Sequence, residues 1–416
     1  MSPLLNIVVW GAYLWIWGLA WAQNETSPVS SELFKSLEEL SRLVDVSYCV
    51  GTTGVQEPFE CLSHCAEFPD LELATTWNTG VLMSDSCGYI ALSHSPSAKR
   101  IIVAFRGTYS ITNTIIDLSA YPQAYVPYTG DEDDKDRSNG TQPGFSALRC
   151  ENCTVHAGFM TSWINTRPTV LPHVSAARGQ YPDYEVTLVG HSLGGAVAAL
   201  AGLEMRLKGW NPVVTTFGEP IVGNDAFAKF IDEQFHIEDP NEAPGHATTQ
   251  RFRRVTHIDD PVPLLPLQEW GYRPHSGEIF ISNPDLPPSL QDLHACVGDQ
   301  DPRCIAGSET PTLLLDMYQD ASIPFRVFNS RLDPCPPYPG VSDPTTGQRV
   351  ALDKQQDRVQ VGTAGCASDH VTAPLYPLHW DWSLIPARYR LWELFYAHRD
   401  YFWRIGLCVP VGDPTA

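Results

Sequence analysis

Apolar positions first fall at helical spacing and later condense into short unbroken runs. Leu33, Leu37, Leu40 and Leu43 recur every three or four residues, which predicts a helix within residues 23–47. A cysteine-bounded, Gly- and Pro-containing loop region follows. Tyr89–Ser93 and Arg100–Phe105 then read as strands, separated by a turn-rich His-Ser-Pro-Ser segment. After Thr108 the pattern turns helical to about Ala120, and residues 130–140 form a charged surface loop.

Farther along, strands and helices alternate. Tyr184–Val189, Val213–Phe217 and Arg251–His257 are β-branched or apolar strand runs, and Leu193–Lys208 and Asp225–Gln234 are helical between them. Such alternation predicts an α/β fold, a mostly parallel sheet with helices on both faces. From about 283 to 385 the order dissolves into Pro, Asp, Gly and Cys, so residues 300–390 are expected to be an insertion within a single domain spanning 23–416. Arg388–His398 is again expected to be helical.

The first 22 residues change the expected location. An uncharged apolar run from Ile7 to Leu19 precedes Ala20-Trp21-Ala22, a small-x-small cleavage site that would leave Gln23 at the start of a secreted chain. No Lys or Arg precedes the run, so an uncleaved membrane anchor is the competing reading. No later stretch is long and apolar enough to span a bilayer, so the mature chain is expected to lack a transmembrane segment. Asn24, Asn139 and Asn152 each begin an N-glycosylation triplet. Eleven cysteines also suit an oxidising compartment. Cys61 with Cys65 and Cys150 with Cys153 are spaced to close small loops, and no paired Cys-x-x-Cys array marks a metal site. A net charge of −21 argues against nucleic acid as a partner and favours a neutral substrate.

The chemistry centres on Gly190-His191-Ser192-Leu193-Gly194, directly after a strand and directly opening a helix. Gly-x-Ser-x-Gly alone occurs by chance in such a chain with probability on the order of 0.1. Its context makes it a nucleophile elbow: glycines flank the serine because side chains there would collide across the turn. The turn also sets the hydroxyl at a helix N-terminus, where N–H groups and the dipole favour developing negative charge. A serine hydroxyl needs a histidine base, itself oriented by a carboxylate, in the chain order Ser, acid, His. Asp259 and Asp260 end a strand and are the candidate acids. His275, His294, His370, His379 and His398 are the downstream histidines, and spacing does not choose among them.

Five segments occur in order: Phe105-Arg-Gly-Thr108, His156-Ala-Gly-Phe159, Gly190-His-Ser-Leu-Gly-Gly195, Phe217-Gly-Glu-Pro-Ile-Val-Gly-Asn224 and Arg254-Val-Thr-His-Ile-Asp-Asp-Pro-Val-Pro263. Together they resemble the class 3 lipases, the secreted fungal triacylglycerol lipase family that also includes feruloyl esterases. The resemblance covers roughly residues 45–282 and 396–408. It implies the α/β-hydrolase fold, with Ser192, Asp260 and His398 as the catalytic residues. His398 lies in Ala397-His-Arg-Asp-Tyr401-Phe402, and His379 is the runner-up. It implies an oxyanion hole from Thr108 and the Leu193 N–H, each donor typically worth about 3 kcal/mol. It pairs Cys49 with Cys408, Cys61 with Cys65 and Cys150 with Cys153. Cys296 with Cys304 is a further local pair, and Cys87, Cys335 and Cys366 stay unassigned.

The resemblance also makes the segment after Thr108 a lid helix, with Ile111, Ile115 and Leu118 on one face. Three features depart from the family pattern. Thr114 stands where a lid tryptophan is common, Glu219 replaces a small apolar residue, and 137 residues separate Asp260 from His398. The expected function is therefore triacylglycerol hydrolysis by a secreted serine esterase, with a lipid or other neutral ester as partner, met at an oil–water interface. No metal or organic cofactor is required. The alternatives are an esterase on other acyl compounds, of the phospholipase A1 or feruloyl esterase type, and an inactive binding protein on the same fold.

Overall fold

Helix α1 (Ser31–Val46) begins where Ser30 accepts the Leu33 N–H at 3.1 Å, and it buries Leu33, Leu37, Leu40, Leu43 and Val44. All but Val44 are the apolar stripe read from the sequence. The computed structural model describes residues 27–80, 85–108, 122–125, 150–237, 249–305 and 396–409, all within one compact unit.

Thirteen strands follow in chain order among the described residues: β1 (Ser27–Pro28), β2 (Leu71–Asn78), β3 (Cys87–Ser93), β4 (Arg100–Arg106), β5 (Pro122–Ala124), β6 (Thr154–His156), β7 (Glu185–His191), β8 (Val213–Phe217), β9 (Gly223–Asn224), β10 (Phe252–His257), β11 (Tyr272–Arg273), β12 (Glu278–Ile281) and β13 (Leu293–Ala295). The other helices are α2 (Ala157–Gln180), α3 (Leu193–Leu207) and α4 (Asp225–Phe235).

The main sheet runs β1-β13-β12-β10-β8-β7-β4-β3-β2. Its centre, β4, β7, β8, β10 and β12, is parallel, whereas the β2–β3–β4 and β12–β13–β1 pairings are antiparallel. Parallel strands covered on both faces need apolar side chains on both, which explains the unbroken runs of β4 and β7. Successive side chains point to opposite faces. Val189 joins the cluster built by α1, Ile102, Val255, Tyr401 and Phe402. Leu188 and Val214 instead meet α3 at Gly202, where an added Cβ would lie 2.4 Å from Val214. A second, antiparallel sheet has the order β11-β9-β6-β5.

Some elements were not announced by the pattern. Strand β2 is half-exposed, and it falls in the region read as loop. Helix α2 contains Pro168 and Pro172, which obscure its helical pattern. Strand β13 lies inside the stretch from 283 that reads as irregular. The expected leader 1–22, the lid residues Ile111, Ile115 and Leu118, Thr114, Asn24, Asn139, Cys335, Cys366, His370, His379 and residues 306–395 lie outside the described residues.

Candidate active site

Ser192 stands between the end of β7 and the start of α3 with φ 57° and ψ −131°. Positive φ in a residue with a Cβ is strained, and the surroundings hold it there. The Ser192 N–H donates to the Phe217 carbonyl on β8 (2.9 Å), and the Ser192 carbonyl accepts the Gly195 N–H (2.8 Å). The two flanking glycines are required sterically. A Cβ on Gly190 would lie 2.2 Å from the Gly194 carbonyl oxygen, and one on Gly194 would lie 2.4 Å from that of Phe105.

Asp260 and His398 meet in the same region. Asp260 is buried just beyond β10, and both its carboxylate oxygens lie 2.9 Å from His398 Nδ1. A carboxylate only accepts, so Nδ1 carries the hydrogen and Nε2 presents a lone pair. Among the described residues His398 Nε2 has no hydrogen-bond partner, although it is buried. Asp260 Oδ1 also accepts the Val262 N–H at 2.9 Å, and Oδ2 accepts the Tyr401 hydroxyl. Burial, and then the adjacent Asp260 charge, push the Tyr401 phenol well above its usual range, so it stays a donor. Asp259, by contrast, is exposed.

Gly218 packs against Asp260, His398 and Tyr401. It has φ 59°, and a Cβ there would lie 2.7 Å from Tyr401 Oη, 2.8 Å from Asp260 Oδ2 and 2.9 Å from His398 Cε1. Residue 218, just past β8, can therefore lie against the acid–base pair only because it has no side chain.

A second polar chain joins the elbow to its neighbours. His191 Nε2 lies 2.7 Å from the His398 main-chain oxygen and Nδ1 lies 2.5 Å from the Tyr48 hydroxyl. The carbonyl fixes Nε2 as the donor, so Tyr48 donates to Nδ1, and the Gly107 N–H donates to Tyr48 at 3.2 Å. Burial, and then the neighbouring His398, hold the His191 imidazole well below its ordinary pKa, hence neutral. Burial likewise pushes the Tyr48 phenol up to about 12. A Cβ on Gly107 would lie 2.8 Å from Ser192 Cβ, so the loop that carries Thr108 passes directly beside the serine. Leu193 is buried in the first turn of α3.

The base-bearing segment is tied to α1. Cys49 is bonded to Cys408, the Gly406 N–H donates to Asp45 at 2.6 Å, and Phe402 packs edge-on against Phe34 at 5.3 Å. Cys61–Cys65, Cys150–Cys153 and Cys296–Cys304 are also bonded, and Cys87 is a buried thiol. Asn152 is exposed on the loop closed by Cys150–Cys153. Of the other candidate histidines, His275 pairs with Glu219 and His294 meets Ser282.

The sequence profile described as Lipase (class 3) matches residues 102–270. A secreted mono- and diacylglycerol lipase of Gibberella zeae is 46% identical over 93% of this chain and 85% of its own length. The chain belongs to the class 3 lipases. It is a secreted lipase, a carboxylic ester hydrolase. Lipase A of Sodiomyces alcalophilus is also 46% identical, over 100% of this lipase and 94% of its own length. A crystal structure of a Yarrowia lipolytica lipase shares the α/β-hydrolase fold at 33% identity, covering 70% of this chain and 93% of that one with a TM-score of 0.59.

Sequence reasoning assigned no role to Tyr48, His191 or Tyr401. His191 and Tyr401 lie inside recognisable motifs, whereas Tyr48 carries no signal beyond its place beside Cys49.

Proposed function

We propose that this lipase hydrolyses acylglycerols by acyl transfer through Ser192. The observation that carries the reading is the His398–Asp260 pair, whose Nε2 has no partner among the described residues and whose ring lies 4.6 Å from that of His191, the residue before the elbow serine. Ser192 attacks the ester carbonyl while His398 takes its proton, then returns it to the leaving glyceride alcohol. Asp260, with Tyr401 and the Val262 N–H, holds the imidazolium in place. The Leu193 N–H and Thr108 bind the oxyanion, and water, activated by His398, releases the fatty acid.

Two relatives at the level of whole-chain similarity guide the substrate. One is named for mono- and diacylglycerol, so partial glycerides are the favoured class, with triacylglycerol beside them. Such substrates collect at an oil–water surface. The apolar spacing of Ile111, Ile115 and Leu118 supports a lid that would meet that surface.

A panel of mono-, di- and triacylglycerols, phospholipid and feruloyl esters tests the substrate, with wild type beside Ser192→Ala and His398→Ala. Both variants are expected to lose about 10³-fold or more in kcat. Wild-type activity in Ser192→Ala rejects the mechanism, and a preference for dissolved aromatic esters rejects the substrate class.

A further inference from the structure

A buried acid–histidine pair adjoins the site. Glu219 directly follows Gly218 and is 2% exposed, and His275, between β11 and β12, is 3% exposed. Glu219 Oε1 lies 3.1 Å from His275 Nε2, and His275 Nδ1 lies 2.8 Å from the Ser276 carbonyl. The carbonyl only accepts, so Nδ1 carries a hydrogen. The 3.1 Å contact from Nε2 to Oε1 needs a further hydrogen between them, and that hydrogen offsets the carboxylate charge. Glu219 Oε2 has no hydrogen-bond partner among the described residues.

The pair occupies a sensitive place. Phe217, two residues before Glu219, accepts the Ser192 N–H, and Gly218 backs Asp260 and His398. Glu219 itself lies against the first turn of α3, where a Cβ on Gly195 would be 3.3 Å from Glu219 Cβ. That helix end supplies the Leu193 N–H. A bare carboxylate there would oppose an oxyanion drawn to the same N–H groups and dipole, and low dielectric would strengthen the opposition. Around the pair, Arg254 Nε–H donates to the His275 carbonyl (2.9 Å), Arg254 Nη2 lies 3.9 Å from Glu278, and Asp232 accepts the Ser276 N–H (2.9 Å).

We infer that Glu219 and His275 are a positioning pair for ester hydrolysis. His275 anchors the chain just past β8, where Phe217 holds the Ser192 N–H and Gly218 packs on Asp260 and His398, and it cancels a carboxylate charge that would otherwise weaken the oxyanion site at the head of α3. The inference rests on Ser192 being the nucleophile.

The test measures kcat, KM, thermal unfolding and phosphonate labelling of Ser192, using a dissolved short-chain ester. The variants are Glu219→Gln, His275→Ala, His275→Gln and the two double variants that add Glu219→Gln to each. Glu219→Gln keeps a hydrogen bond to Nε2 without charge and is expected to stay within about threefold of wild type. His275→Ala is expected to lower kcat about tenfold with KM little changed, and adding Glu219→Gln to it should recover most of that loss. His275→Gln, which keeps an N–H toward Glu219, should lose less, and it carries the comparison if His275→Ala does not fold. The inference is overturned if kcat is unaffected by either His275 substitution, or if removing the Glu219 charge recovers nothing. Failure of wild-type Ser192 to label would instead overturn the nucleophile assignment, before any Glu219 or His275 variant is measured.

Discussion

His191 Nε2 lies 2.7 Å from the main-chain oxygen of His398, across 207 positions of sequence. The residue before the proposed nucleophile thus holds the backbone of the proposed base. Because the other nitrogen of His191 accepts a hydrogen bond from the Tyr48 hydroxyl, one neutral imidazole spans the elbow, the start of the chain's core and its C-terminal segment.

Tyr48→Phe leaves His191 Nδ1 buried without a donor. The expected cost is about 1–3 kcal/mol of stability. Urea unfolding followed by tryptophan fluorescence measures it, and an unchanged midpoint would show that the bond contributes nothing.

Tyr401→Phe removes one of the donors that hold the Asp260 carboxylate. A hydrogen bond to a charged group contributes about 1.5–3 kcal/mol, so kcat should fall about tenfold or more while KM changes little. A rise in KM at constant kcat would instead place Tyr401 in substrate binding.

The buried histidines set an acid limit on stability. Burial lowers the folded-state pKa of His191 and of His257 below 6.5. Below that value the unfolded chain binds protons that the folded chain refuses. Their contribution is therefore complete above pH ~6.5 and is lost as pH falls toward the folded values, at up to about 1.4 kcal/mol per pH unit for each histidine. His191→Asn should flatten the limb in a series of unfolding curves between pH 7 and 5. An equally steep limb in that variant would remove His191 from the account.

Cys49 and Cys408 are separated by 359 positions, and their bond ties the segment that carries His398 to the turn that follows α1. Replacing both by Ser should destabilise the fold by about 2–5 kcal/mol. Activity should be lost at a lower temperature than global unfolding, because residues 396–409 would detach first. Coincident loss of activity and of fluorescence would contradict that order.

Short-range order could be read directly. Leu33, Leu37, Leu40 and Leu43 face the core of α1 as their spacing requires, and β8 runs over Val213–Phe217, as its β-branched run indicates. Strand β2 escaped because one side faces water, so its apolar alternation is weak. Helix α2 escaped because two prolines interrupt its pattern.

Read from its own residues, the sequence determined what was local: the elbow at Ser192, the two adjacent acids after β10 and a short list of histidines, from which only the resemblance to the class 3 lipases singled out Asp260 and His398. Glycine spacing, strand periodicity and a turn are properties of neighbouring residues, so they survive in one dimension. The tertiary structure decided which acid and which histidine meet. It buried Asp260 against His398, left Asp259 in water and gave His275 to Glu219. Those choices depend on loop ends brought together across a parallel sheet, where the few ångströms needed for a hydrogen bond bear no relation to the number of residues between the partners.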